Sequence, residues 1–162
     1  MDVPPNWSWR SDPVAPAPVV VVDLDGVLSD AARRQHFLEG PVRDWRGFFD
    51  ACGEDPIIEE TKVLLHLLDS DLRIVLLTAR PIRLLDVTRE WLGRFAIRWD
   101  LLIMRDRTHG HLTSLDFKHA SLDELREYGF ELRLGIEDDR RNVAMLRAAG
   151  VPALYIHSGY YD

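Results

Sequence analysis

The sequence lacks the features that mark several classes of protein. It holds a single cysteine, Cys52, in 162 residues, so no internal disulfide bond is possible, which agrees with a reducing compartment. No apolar run approaches the ~20 residues that a membrane-spanning helix requires. The first residues show neither the basic start nor the apolar stretch of a signal peptide. These absences exclude a disulfide-stapled scaffold and predict a cytoplasmic protein without a membrane segment.

Positive charge is also scarce. The formal net charge is -7, and no long run of lysine or arginine occurs. Proteins that hold duplex nucleic acid through its phosphates carry a basic surface, so extended duplex binding is not expected. A phosphorylated small molecule, or only the end of a nucleic-acid strand, is the partner that this charge balance favours.

The length and composition predict one domain that is preceded by an arm. Residues 1–18 are rich in proline and show no periodic apolar pattern, which indicates an extended or loosely attached segment. Trp7 and Trp9 in this segment either pack onto the body or have a function. Residues 19–162 hold 144 of the 162 positions and are long enough for one ordinary core.

From Val19 onward, short apolar runs alternate with segments of helical period. The candidate strands are residues 19–22, 73–78, 100–103, 132–136 and 153–156. The candidate helices are residues 56–70, 84–95, 121–129 and 141–150. Ser121 and Glu124 have the spacing of a capping box, and Gly129 and Gly150 fit helix C-termini. Strands that are almost wholly apolar are buried on both faces, so the pattern predicts a doubly wound α/β fold, with a parallel sheet between two helical layers.

Polar side chains follow the strands at their carboxyl ends, where ligands bind in folds of this kind. They are Asp23, Asp25, Thr78, Arg80, Arg105, Glu137, Asp138 and Asp139. Crowded carboxylates repel one another unless a cation keeps them ionised, and oxygen ligands favour Mg²⁺. An aspartate beside Mg²⁺ can attack phosphorus, and a second carboxylate can transfer protons. The arrangement therefore predicts phosphoryl transfer, with Thr78 and Lys118 placed to bind a phosphate.

Other interpretations of the acids fit less well. The "DLDG" stretch lacks the later ligands and the glycine position of a calcium-binding EF-hand loop. A receiver-type switch would carry its phosphate acceptor after a later strand. A purely structural cluster would bury several carboxylates without a partner for their charge, and such burial is unfavourable in free energy.

Four motifs in order resemble the haloacid dehalogenase superfamily of phosphotransferases. They are "DLDGVL", "LLTAR" with Thr78, Lys118, and "IEDDRRN", and together they span residues 19–156. Within the superfamily, the sequence is most similar to the phosphatase domain of phage-type polynucleotide kinases, through "TAR", "IMRDR" and "EDDRRNVAMLRAAGV". No P-loop occurs in the sequence, so the resemblance implies a phosphatase without a kinase half.

The resemblance implies a role for each acid. Asp23 would be the nucleophile and a Mg²⁺ ligand, and Asp25 the acid/base whose backbone carbonyl also binds the metal. Asp138 would be the second carboxylate ligand, with Asp139 supporting it through water.

The resemblance assigns the remaining polar residues to the substrate. Thr78 and Lys118 would hold the phosphate, and Arg80 and Arg105 would be substrate-side cations. The related phosphatases carry an acid shortly before the lysine of the third motif. Asp116 is the nearest candidate, at a spacing that does not match.

Only a minimal cap insert is expected between the first two motifs, because residues 29–55 are too few for a cap domain. This insert mixes cations and aromatics that suit a phosphate and a stacked base, or that simply pack on the body. His109 and His111 lack the further ligands of a zinc site.

Three functions remain open after the sequence analysis. The first is a Mg²⁺-dependent phosphomonoesterase that acts on a nucleotide or on a nucleic-acid 3′-phosphate end. The second is a phosphatase of sugars or other metabolites. The third is a non-catalytic phosphate-binding module on the same scaffold.

Overall fold

The computed structural model describes residues 2–161 and has a six-stranded sheet as its centre. The strands are β1 (Trp7–Trp9), β2 (Pro18–Val22), β3 (Arg73–Pro81), β4 (Leu101–Arg105), β5 (Glu131–Glu137) and β6 (Ala153–Tyr155). The helices are α1 (Trp45–Asp50), α2 (Glu59–Leu67), α3 (Leu85–Arg94), α4 (Ser114–Tyr128) and α5 (Arg140–Ala148). All five predicted strands are present, so the strand prediction is confirmed.

The order of the strands in the sheet is β1-β4-β3-β2-β5-β6. Strands β2 to β6 pair in parallel, whereas β1 pairs antiparallel with β4 at one edge. The chain moves outward from β2 through β3 to β4, and then returns to the other side of β2 with β5. The order therefore reverses between β2 and β5, which creates a crevice at the carboxyl ends of these two strands.

The valines of β2 alternate between two hydrophobic cores. Val20 and Val22 pack in a core with Trp91 of α3, whereas Val19 and Val21 pack in a core with Phe117 of α4. Both faces of the strand are therefore covered by helices, and full burial of each such side chain contributes about 1.5–3 kcal/mol. The prediction of a three-layer, doubly wound α/β fold is confirmed.

The proline-rich segment of residues 1–18 is attached to the sheet more closely than its sequence indicates. Strand β1 lies in this segment and pairs with β4, and the Asn6 side-chain amide donates to the Met104 carbonyl at 2.9 Å. Trp7 is buried and packs against Phe130. Of the two forms expected for this segment, the structure shows the extended one and not the loosely attached one in this part. The strand itself was not predicted, because three residues are too few to show a strand pattern in the sequence.

Helix α4 begins well before its predicted start. Thr113 caps it by accepting a hydrogen bond from the Asp116 backbone N–H. The predicted cap, Ser121, is buried inside the helix, where its hydroxyl donates to the Phe117 carbonyl at 2.9 Å. The capping-box prediction is wrong, because a serine inside a helix can satisfy its hydroxyl on the preceding turn. Lys118 therefore lies within α4 rather than ahead of a helix.

The segment between the first two motifs forms no separate domain. It consists of a 3-10 helix at Ala32–Leu38, helix α1, and a 3-10 turn at Cys52–Glu54. The minimal cap insert is confirmed. None of the helices among residues 2–161 is both long and apolar enough to cross a membrane.

Candidate active site

Three carboxylates meet in the crevice between β2 and β5. The backbone N–H of Asp23 continues the strand ladder by donating to the Ile136 carbonyl at 3.1 Å, which places Asp23 beside Glu137. Asp138 follows directly. One carboxylate oxygen from each of Asp23, Glu137 and Asp138 lies within 4.8 Å of the other two, and all three residues are buried. These three residues are called the acid cluster below.

Lys118 extends from α4 into the acid cluster. Its Nζ atom lies 3.0 Å from Asp23 Oδ1 and 2.5 Å from Glu137 Oε1, and the side chain is buried. Burial by itself would lower the pKa of Lys118, but the charges of Asp23 and Glu137 outweigh burial and raise that pKa. Lys118 is therefore a fixed positive charge against the nucleophile candidate.

One cation does not balance three acids. Burial, followed by the charge of Asp23, raises the pKa of Glu137 to about 7 and that of Asp138 to about 8. Both carboxylate oxygens of Asp138 and Oε2 of Glu137 are buried without a hydrogen-bond partner. Buried polar atoms are normally satisfied, so these oxygens indicate a place for a further cation. Oxygen ligands of this kind suit Mg²⁺, and the residues present therefore fit the predicted metal.

Asp25 points to a different set of partners. Its Oδ1 atom lies 2.7 Å from the Arg80 guanidinium and 2.5 Å from that of Arg34. Burial by itself would raise the pKa of Asp25, but the charges of Arg80 and Arg34 outweigh burial and lower it to about 2. The structure thus holds this carboxylate ionised, in the form that accepts a proton.

Arg80 and Arg105 do not extend freely toward a substrate in this structure. Arg80 is 0 % exposed and also donates to the hydroxyls of Ser29 and Thr88. Arg105 donates to the backbone carbonyls of His109 and Leu112, and so closes the loop after β4. Their substrate-binding roles stay predictions, and the contacts show both of them positioning other groups.

Thr78 and Asp139 are placed at the same end of the sheet by local backbone geometry. Thr78 is buried, and its Oγ1 accepts from the Arg80 backbone N–H at 3.1 Å, which leaves the hydroxyl proton free to be donated. Asp139 caps α5 by accepting from the Arg141 backbone N–H, and pairs with the Arg141 guanidinium at 2.8 Å. It lies outside the acid cluster, so its supporting role stays a prediction.

Two residues of the site have no role that the sequence predicts. Glu137 follows a strand in the sequence without being a predicted ligand, although it belongs to the acid cluster. Arg34 is one of several cations of the insert in the sequence, yet in the structure it bridges Asp25 and Asp55. The Asp55 carboxylate accepts from the Arg34 guanidinium at 2.6 and 2.9 Å. Only the position of Glu137 directly before "DD" could have indicated its role, since no spacing rule links Arg34 to Asp25.

His109 packs on Phe117 and accepts from the Asp106 backbone N–H at 3.1 Å through Nδ1. It stabilises the turn after β4. Among residues 2–161, the acid cluster is the one group with metal-binding geometry, so His109 and His111 form no zinc site there.

Gly26 is required where the chain turns around the acids. Its φ is +83°, and a β-carbon at this position would lie 2.1 Å from Asp138 Oδ2. We expect Gly26→Ala to displace Asp138, because a clash of this size cannot be absorbed by backbone adjustment alone. Stability measured by urea denaturation should fall by about 2–4 kcal/mol, from strain and steric overlap together. Metal binding measured by calorimetry should weaken at the same time.

Gly40→Ala is the matched control, because Gly40 also has a positive φ, +90°, but no atom lies within 4 Å of its added carbon. The free energy of unfolding of this variant should fall only by the contribution of backbone strain at a positive φ, about 1 kcal/mol. Equal losses in the two variants, with unchanged metal binding, would show that the contact with Asp138 is unimportant.

The comparisons with known proteins found relatives by structure only. No protein-family model and no curated protein matches the sequence. Two similar chains come from structures of the Pnkp1/Rnl/Hen1 RNA repair complex, at TM-scores of 0.70 and 0.69 and identities of 20% and 22%. Each comparison covers 92% of this chain but only 45% and 50% of the other, so this chain spans about half the length of these relatives.

Two further structures share the fold. One is described as a HAD-like phosphatase from Mesorhizobium loti, with a TM-score of 0.57, 11% identity and coverage of 90% of this chain and 75% of the other. The other is the HAD domain of the effector protein Lem4 from Legionella pneumophila, with a TM-score of 0.52, 16% identity and coverage of 91% and 90%. These likenesses confirm what the motifs predicted about architecture: the chain has the haloacid dehalogenase-like fold.

Proposed function

We propose that the protein is a Mg²⁺-dependent phosphomonoesterase that works through an aspartyl-phosphate intermediate. The observation that carries the proposal is the acid cluster at the reversal point of the sheet, with buried carboxylate oxygens that lack a partner and with Lys118 beside Asp23. A structural role alone would not require three acids around one lysine, because uncompensated buried charge is costly.

The metal would be held by the carboxylates of Asp23 and Asp138 and by the backbone carbonyl of Asp25. Glu137 extends the set that the sequence predicted, because its Oε2 atom is free. When bound, Mg²⁺ would balance the negative charge of the acids and, as a Lewis acid, polarise the phosphoryl group.

In the first half of the reaction, a carboxylate oxygen of Asp23 attacks phosphorus and the bond from phosphorus to the ester oxygen breaks. Lys118 and the hydroxyl of Thr78 stabilise the charge that develops on the phosphoryl oxygens. The leaving oxygen takes up one proton, for which Asp25 is the predicted donor. Arg34 and Arg80 oppose this step, because they keep the pKa of Asp25 at about 2.

In the second half, water attacks phosphorus and the bond to Asp23 breaks, which releases inorganic phosphate and restores the free carboxylate. The attacking water loses one proton. Asp25 is ionised in the structure and so is ready to accept it, and the proton balances the one donated in the first half.

A nucleotide or a nucleic-acid 3′-phosphate end is the substrate class that we favour. Supporting this are the resemblance to polynucleotide kinase phosphatase domains and the two similar chains in an RNA repair complex. The insert also presents an exposed Trp45 that stacks on Phe49, next to the exposed Arg46. A phosphatase of sugars or other metabolites remains the second candidate, because a chain described only as a HAD-like phosphatase shares the fold.

A substrate panel tests the proposal. The purified protein would be assayed for phosphate release from 3′-phosphate oligonucleotides, 3′- and 5′-mononucleotides and sugar phosphates, with Mg²⁺ and with a chelator. We expect release from 3′-phosphate ends or nucleotides, and none without a divalent ion. Activity on sugar phosphates alone would exclude the end-processing role, and inactivity on every ester would favour the non-catalytic module.

A further inference from the structure

The segment after β6 folds back over the carboxyl end of β2. Gly159 adopts a φ of +83°, which reverses the chain, and the Tyr160 backbone N–H donates to the Ser158 hydroxyl at 3.3 Å. The Tyr160 hydroxyl donates to Asp30 Oδ1 at 3.1 Å, and its ring lies 3.1 Å from the position of a β-carbon on Gly26. Residues 158–161, called the return segment below, are thus anchored beside the acid cluster.

Tyr161 is the exposed aromatic residue of the return segment. Its ring lies 5.9 Å from the Arg141 guanidinium, within the range of a cation–π contact. Arg141 is itself held in place by Asp139 at the start of α5. With 55 % of its surface exposed, Tyr161 has one side against a fixed cation and another open to solvent.

The contacts on either side of Tyr161 place it close to the acid cluster. The ring of the preceding residue, Tyr160, lies 3.1 Å from the position of a β-carbon on Gly26, and Asp138 Oδ2 lies 2.1 Å from that same position. Arg141, under the Tyr161 ring, pairs with Asp139, the residue after Asp138, so the ring stands at the rim of the acid cluster. The residues of the cluster are buried, with Asp23 only 8 % exposed, and the group attached to a phosphate there must therefore extend outward past the rim.

We propose that Tyr161 is a specificity-determining residue that stacks on the base of the nucleotide whose phosphate is removed, with Arg141 positioning its ring. Every nucleobase has a flat π-face, so an exposed aromatic ring binds bases with little regard to sequence. The inference rests on the proposed function and narrows it, since the preferred ester would carry a base next to the phosphate. A compact sugar phosphate would gain nothing from the ring.

Two matched substrates test the inference. Both are short single-stranded oligonucleotides with a 3′-terminal phosphate, and they differ only in that the last nucleotide of one is abasic. For the wild-type protein with Mg²⁺, we expect kcat/KM to be higher for the base-bearing end by roughly fivefold to a hundredfold, as base–aromatic stacking predicts. Tyr161→Ala should reduce this ratio to near one, mainly through KM, whereas Tyr161→Phe and Tyr161→Trp should preserve it.

Tyr155→Ala is the matched control. Tyr155 also lies under an arginine, Arg140 at 5.4 Å, but its hydroxyl pairs with His157, so this variant should keep the wild-type ratio. The inference is overturned if the wild-type protein hydrolyses both ends equally, or if Tyr161→Ala lowers or raises kcat/KM for both ends alike. If the wild-type protein hydrolyses no phosphate ester at all, the proposed function itself has failed, which is a distinct result.

Discussion

Asp23→Asn is expected to abolish phosphate release, with a fall in kcat of at least about a thousandfold, because the amide cannot attack phosphorus and no other residue replaces a lost nucleophile. The fold should persist. The substitution preserves shape and removes the charge that helps to raise the pKa values of Glu137 and Asp138. Stability without metal should therefore stay the same or rise.

Hydrolysis of a generic aryl phosphate measures the first effect, and urea denaturation measures the second. Asp69→Asn is the matched control, since Asp69 is exposed and precedes the amino end of β3, whereas the acid cluster lies at the carboxyl ends of the strands. Its activity should equal that of the wild-type protein. If the Asp23 variant retained wild-type activity, the aspartyl-phosphate mechanism would have to be abandoned.

Lys118→Met is expected to destabilise the metal-free protein by about 3–5 kcal/mol, the typical cost of removing one partner from a buried ion pair. The lysine contacts Asp23 and Glu137 directly, and Met would leave the acid cluster without its cation. Urea denaturation at pH 8 gives the measurement. Added Mg²⁺ should recover part of the loss, because it supplies positive charge to the same carboxylates.

The loss should depend on pH in a defined direction. In the folded protein the pKa values of Glu137 and Asp138 are about 7 and about 8, above their ordinary values of 4.5 and 3.8. A folded state that binds more protons than the unfolded state is favoured at low pH, and this stability is lost as pH rises through about 7 to 8. Removing Lys118 makes ionisation of these acids still less favourable, so the deficit of the variant should be smaller at pH 5 than at pH 8.

Lys62→Met provides the control. Lys62 is the other lysine of the chain, and it lies on α2, where it is only partly buried. It should change stability by less than about 0.5 kcal/mol and without this pH dependence. A small, pH-independent effect of Lys118→Met would mean that the acids are not ionised together in the folded protein.

The elements that could be predicted from the sequence are those whose signal is local. The valines of β2 form one apolar run, and such a run between turn residues predicts a buried strand whatever its neighbours are. Strand β1 could not be predicted, because its three residues lie among prolines and gain their structure from pairing with β4. Helix α4 shows the same limit: the sequence predicts Ser121 as its cap, whereas in the packed structure the helix begins after Thr113 and Ser121 lies inside it.

The candidate site divides in the same way. The sequence by itself determined the acids at the ends of β2 and β5, because parallel strands on either side of a reversal point bring their carboxyl ends together. Only the tertiary structure decided which charges are paired. It placed Lys118 against Asp23 and Glu137, Arg34 and Arg80 against Asp25, and Tyr161 against Arg141. Ion pairs between residues far apart in the chain depend on how helices and loops pack on the sheet, and no local pattern of residues encodes that packing.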